Sequence, residues 1–177
     1  MFPIGHLALG YLSAALVRTG RGHRLPDQWV LVAALLGSQL PDLIDKPLAY
    51  YDVLVSGRSL GHSLFFVLPV LTVVFFAGRR AGYGEYALAF VVGTLSHFLG
   101  DTYRLALAGD WESLTFLLWP VFPATVYPSD GIPPWIRVID SIGQPQHHVE
   151  YALAALAFTL WMYGRYTRLQ RGSRVQA

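Results

Sequence analysis

The sequence predicts an all-α fold: a compact, polytopic membrane bundle of about five transmembrane helices with one re-entrant or interfacial segment. Three observations predict it. The first is composition: of 177 residues, 54% are hydrophobic and only 14% charged, where a soluble domain carries about 25% charged residues. The second is that the apolar residues fall into a few long runs rather than a period-2 alternation. The third is the placement of charge, which alternates from one inter-run segment to the next.

The runs follow in order. Residues 4–17 form the first, and the first arginine, Arg18, comes only after it. That order lacks the basic leader of a cleavable signal peptide. Residues 29–44 form the second, carrying Pro41, which is expected to kink the segment and free carbonyls near its end. Residues 63–77, 86–107 and 149–163 form the third, fourth and fifth. Residues 113–127 are apolar but broken by Pro120 and Pro123, and are expected to lie re-entrant or interfacial rather than to span. Residues 1–166 read as one membrane-embedded domain and 167–177 as a polar, basic tail. Small residues at Gly10, Ala14, Gly37, Gly93 and Gly100 would let helices approach closely.

A helix needs about 20 residues to cross a ~30 Å hydrocarbon core. Several runs reach that length only when the histidines and aspartates at one end are counted, so those polar groups are expected at one membrane boundary. Arg18, Arg21, Arg24, Arg79, Arg80, Arg165, Arg168, Arg171 and Arg174 fall on one side of alternating segments. Lys46, Arg58, Arg104, Arg137 and nine of the eleven acidic residues fall on the other. The positive-inside rule then puts the N-terminus outside and the C-terminus in the cytoplasm of a plasma (inner) membrane protein. The tryptophans, near segment ends, suit an interfacial belt. The net charge of +2 is explained by this topology, and no direct nucleic-acid binding is expected.

With no cysteine, thiolate ligands, disulfides and cysteine nucleophiles are excluded. The chemistry collects at the outer ends of the segments. His6 opens the first, Asp42 and Asp45 close the second, His62 opens the third, and His97 with Asp101 lies in the outer half of the fourth. His147, His148 and Glu150 open the fifth, and whether they join the site is open. His97 and Asp101, four apart, share a helix face. Ionisable groups within membrane segments are rare and usually functional. Several carboxylates together near a low-dielectric boundary need protons or a cation. Imidazole with carboxylate suits zinc, with manganese or iron next, better than calcium or magnesium. Taken singly, each residue also has a structural reading, as an interhelical hydrogen bond, a helix cap, or an ion pair of the aspartates with Lys46.

The ordered pieces His6 with Gly10, the run from Gly37 through Pro41, Asp42 and Asp45, Arg58 before Gly61-His62-Ser63, Ser96-His97 with Asp101, and Trp119-Pro120 resemble the YdjM-like family. Its members are described as LexA-binding, inner-membrane-associated metal-dependent hydrolases. The family often has a histidine where Gly57 stands here. The order His, Asp, His, His-x-x-x-Asp is also distantly similar to the zinc phospholipases C and related single-strand nucleases. That likeness implies a bridging role for Asp101. Asp42 or Asp45, His62 and His97 would complete one metal site, and His6 would help hold a second. Those enzymes add a His-x-x-x-Glu pair, whereas His147 and Glu150 are three apart.

The expectation is a membrane-bound hydrolase of a phosphoester, with a lipid or lipid-linked substrate. His6, Asp42, Asp45, His62, His97 and Asp101 are the ligand candidates, and Arg58 would hold the phosphate through its planar fork. Two alternatives stay open. A metal or proton transporter would need polar steps toward the cytoplasmic side, which segments two to five lack. A non-enzymatic adaptor would use the basic tail, whose arginines equally suit topology or anionic lipid.

Overall fold

The computed structural model describes residues 1–175, with side chains through Arg171. The described residues form six α-helices: α1 (Pro3–Gly20), α2 (Gln28–Tyr50), α3 (Leu64–Arg80), α4 (Gly84–Leu107), α5 (Pro134–Ser141) and α6 (His148–Val175). Short 3-10 turns lie at Glu112–Leu118, Pro128–Gly131 and Pro145–His147. The five long helices coincide with the five apolar runs, and the proline-broken segment forms the irregular stretch before α5.

Local chemistry sets the boundaries. Asp27 caps α2, its carboxylate accepting from the N–H groups of Trp29 and Val30 at 3.0 Å each. Pro3 and Pro134 stand at the first turns of α1 and α5, where a missing N–H costs nothing. Between α3 and α4 the chain reverses at Gly82 (φ 84°), a left-handed position that favours glycine.

The centre of the bundle is the crossing of α2 and α4, which run parallel. A Cβ on Gly37 would meet the Phe90 carbonyl oxygen at 2.2 Å, and one on Gly93 would meet that of Ala34 at 2.2 Å. The two backbones therefore touch at reciprocal points. α1 packs antiparallel across both, with Gly10 against Ser38 and Gly100 against His6. α3 lines the outside of α4 through Val67, Leu71 and Phe98. α6 lines α1 through Ala8, Tyr11, Ala15 and Ala157. The small residues expected at contacts are found there.

α2 continues through Pro41 and Pro47 as one helix, so Asp42 and Asp45 stay on one element. Residues 167–175, within the expected polar, basic tail, continue α6. The reason is an anchor: the Arg168 guanidinium donates to the carbonyls of Leu25 and Pro26 at 3.3 and 3.1 Å. Residues 176–177 of the expected tail lie outside the described residues. Finally, among the described residues no helix is long and apolar enough to cross a membrane. α3 has 17 residues, while α2 carries Asp42, Asp45 and Lys46, and α4 carries Asp101 and Arg104, within their final turns. The five long helices stand as expected, but the sequence's five crossings do not follow from their length and apolarity.

The outer surface is nonetheless apolar. α3 buries only Val67 and Leu71 and exposes Phe65, Phe66, Leu68, Val70, Val73 and Phe76. The stretch from Leu118 to Ile142 likewise exposes Val121, Phe122, Val126, Trp135 and Ile139.

Candidate metal centre

The glycine contacts fix where the functional side chains meet. Asp42 lies five residues beyond Gly37 on α2, and His97 four residues beyond Gly93 on α4. Because α2 and α4 touch and run parallel, these residues emerge side by side just past the crossing. Asp101, one turn further along α4, and His6, from the first turns of α1, close the cluster from two more sides. His62 arrives from the loop between α2 and α3. His6, His62 and His97 are fully buried, and Asp42 and Asp101 are buried too.

Asp45 explains how a loop residue is held so firmly. Its carboxylate accepts from the backbone N–H groups of Ser59, Gly61 and His62 at 2.8, 2.7 and 3.1 Å, and from His62 Nδ1 at 2.8 Å. The loop is tied further by the Ser59 hydroxyl, which donates to the Ser56 carbonyl at 2.7 Å. The Ser56 hydroxyl in turn donates to the Thr125 carbonyl at 2.6 Å. Asp45 thus stands behind the His62 ring, one layer back from the other carboxylates.

The tautomers follow from the partners. A carboxylate and a carbonyl can only accept, so His62 donates its Nδ1–H to Asp45, and His97 donates its Nδ1–H to the Ser38 carbonyl at 2.7 Å. Neutral rings so held present bare Nε2 lone pairs. Those two Nε2 atoms face one another at 3.1 Å, an arrangement that repels unless a cation lies between them. Two carboxylate oxygens face the same space. Asp42 Oδ1 is 3.7 and 3.9 Å from the two Nε2 atoms, and Asp101 Oδ2 is 3.5 and 3.8 Å from them. Ligands at zinc distances in a tetrahedron stand about 3.3 Å apart, so the spacing and the donor types fit such an ion. Two triads, His6–Asp42–His97 and His62–His97–Asp101, each have ligand atoms within 4.8 Å of one another. His97 belongs to both.

His6 supplies a further sign. Its ring stacks on that of His97, with centroids 3.8 Å apart, and neither of its buried nitrogens has a hydrogen-bond partner. Nε2 is within 3.2 Å of Asp101 Oδ1 but is not aligned to bond with it. A buried polar group left so costs about 1–3 kcal/mol, which coordination would recover. The Met1 ammonium also reaches Asp101 Oδ1, at 2.6 Å. Asp101 thereby collects a cation or imidazole from five groups: Met1, His6, His62, His97 and Arg58.

Arg58 completes the cluster. Its guanidinium lies 3.2 Å from Asp101 Oδ2 and over the Phe116 ring at 5.1 Å. Burial alone would lower its pKa, but Asp101 and Tyr127 outweigh burial and raise it. His62 behaves alike: burial opposes its charge, while hydrogen bonding to Asp101 and Asp45 and the nearby Asp42 carry its pKa upward. The carboxylates around His62 therefore favour a cation at its Nε2, either a proton or a metal ion that displaces it.

Beside Asp42 and Asp101 opens a cavity of about 670 Å³. Lys46, Arg58, Arg104 and Arg137 give it a basic wall, and Leu43, Leu105, Trp135 and Val138 an apolar one. Lys46 pairs with Asp42, and Arg104 with Glu150 at 3.2 Å. Glu150 and His147 line this cavity but belong to neither triad. His148 is exposed, bonded to the Pro145 carbonyl. Three participants escaped sequence reasoning: the Ser38 carbonyl, Tyr127 and Phe116. A backbone acceptor leaves no mark in sequence. Phe116, which closes over His62 with centroids 5.9 Å apart, was visible only as one apolar residue of the proline-broken segment. At Gly57 a Cβ would come within 2.7 Å of Asp130 Oδ1, so this fold fills with Asp130 the space a larger residue would take.

The sequence model of the family described as "YdjM inner membrane protein" matches residues 1–170. No curated protein and no solved structure matches the chain.

Proposed function

We propose that this chain, which belongs to the YdjM inner membrane protein family, is a membrane-bound, metal-dependent hydrolase of a lipid or lipid-linked phosphoester. The observation that carries the reading is the pair of bare Nε2 atoms at 3.1 Å, faced by Asp42 and Asp101. His62, His97, Asp42 and Asp101 would hold one divalent ion, zinc before manganese or iron. His6, with Asp42 and His97, supplies the donors for a second. Bound there, such an ion supplies Lewis-acid polarisation of a phosphoryl oxygen and acidification of water.

The chain's own residues do the rest. Asp45 and the Ser38 carbonyl hold the two rings in the tautomer that leaves Nε2 free. Arg58, charged and anchored by Asp101, offers its remaining N–H groups to a substrate phosphate. Phe116 excludes water from the His62 side. The neighbouring cavity has the two-sided character an amphipathic substrate needs, with cations for the phosphate and Leu43, Leu105 and Val138 for a chain. The exposed apolar faces of α3 and of the 118–142 stretch support embedding in the bilayer, with the cluster near one boundary. Orientation follows the positive-inside reading, with the N-terminus outside.

A transport path would continue from the cluster toward the far end of the bundle. There the interior is Ala14, Val30, Ala34 and Ala89 packed together, which offers no polar step.

The test is the metal content of detergent-purified protein by elemental mass spectrometry, followed by a screen of phospholipids and phosphodiesters at full occupancy. Bound zinc, manganese or iron that disappears in the His97→Ala, Asp101→Ala double variant, with hydrolysis of at least one substrate, is the expected result. A metal-free protein after reconstitution, or an inert loaded one, would sink the reading.

A further inference from the structure

A second cavity, of about 380 Å³, lies at the opposite end of the bundle, between α1, α3 and α4. None of the candidate catalytic groups lines it. Its inner wall is apolar, with Val17, Phe75, Leu88 and Val92, and its mouth carries Arg18, Arg21, His23 and Arg79 against a single carboxylate, Glu85.

Those charges are unequally engaged. Arg18 is bound on both sides, at 3.0 Å from Asp27 and 3.2 Å from Glu85. Glu85 is thereby occupied, with His23 Nε2 4.0 Å away. Among the described residues, Arg21 and Arg79 form no ion pair. Arg79 instead lies over the Phe75 ring at 5.7 Å, which holds a free cation at the line where the polar mouth meets the apolar wall. The adjoining turns of α3 expose Val73 and Phe76, so apolar surface continues from the cavity to the outside of the bundle.

We propose that this cavity binds one anionic phospholipid of the surrounding leaflet, its phosphate between Arg21 and Arg79 and an acyl chain along Val17, Phe75, Leu88 and Val92. A soluble anion would use the arginines but leave the apolar wall unused. A zwitterionic lipid would bring its own cation against the two unpaired ones. The site depends on the membrane setting, not on the hydrolase reading, and it acts at the end of the molecule remote from Asp42 and His97.

The experiment is native mass spectrometry of the full chain in detergent, titrated with phosphatidylglycerol or phosphatidylcholine of identical acyl chains, with inorganic phosphate as competitor. The expected result is a one-lipid adduct with phosphatidylglycerol, at least about tenfold weaker with phosphatidylcholine, that millimolar phosphate does not displace. The Arg21→Gln, Arg79→Gln double variant should weaken the adduct about tenfold. Both residues are exposed, so it keeps its melting temperature. Leu88→Trp, which fills the apolar wall and leaves the arginines in place, should weaken the adduct as well. Equal retention of both lipids, full displacement by phosphate, or an adduct untouched by either variant would overturn the proposal.

Discussion

Asp42 and Asp45 are three residues apart on one helix, yet the structure gives them opposite work. Asp42 turns one oxygen to the paired Nε2 atoms, while Asp45 spends both oxygens on the loop that carries His62. Asp45→Asn should therefore weaken metal binding about 10–100-fold, the usual cost of losing the partner behind a ligating imidazole. The stoichiometry at saturating metal should stay intact. Asp42→Asn should instead lower the stoichiometry itself. Metal titration followed by elemental analysis separates the two, and a lowered stoichiometry in the Asp45 variant would make Asp45 a ligand after all. The sequence placed both aspartates in the cluster because periodicity shows which residues share a face. It could not divide their roles, because the division depends on three backbone N–H groups delivered by a loop of unpatterned sequence.

At the scale of elements, the parallel contact of α2 and α4 positions the chemistry. Gly93→Ala places a methyl within 2.2 Å of a backbone carbonyl. It should cost at least the ~1–3 kcal/mol typical of overpacking, lower the melting temperature and reduce metal content together. Gly20→Ala makes the control, because a Cβ there meets nothing within 4 Å. It should be neutral or stabilising by about 0.5–1 kcal/mol. Equal melting temperatures for the two variants would remove the crossing from its role. The long helices were legible because each is a single apolar run ending in charge or a turn residue. The continuation of α6 past residue 166 was not, because it rests on Arg168 reaching two carbonyls more than 140 positions away in sequence. Arg168→Ala should loosen that end selectively, seen as faster amide exchange in the last turns of α6 with little change around His97.

For the whole molecule, an apolar exterior surrounds a bundle with titratable groups at one end and arginines at the other. Membranes bearing the protein, washed with alkaline carbonate, should retain it, and detergent should release it. Release by carbonate alone would mean that the exposed faces of α3 and the 118–142 stretch rest on the bilayer or on another protein rather than within it. The expectation of five crossings came from hydropathy together with charge alternation. Helix length and apolarity alone do not establish it, since the same aspartates and arginines that build the site shorten the apolar part of α2 and α4.

The two ends share α1 and α4, which invites the idea that they communicate. The reciprocal contacts of Gly37 and Gly93 argue otherwise. Allosteric coupling requires an element with two alternative packings, and backbones already touching have no second register to slide into. Lipid occupancy at one end and metal affinity at the other should be thermodynamically independent. Their linkage in bilayers with and without anionic lipid should stay below about twofold, under the roughly 5-fold floor of typical allosteric effects.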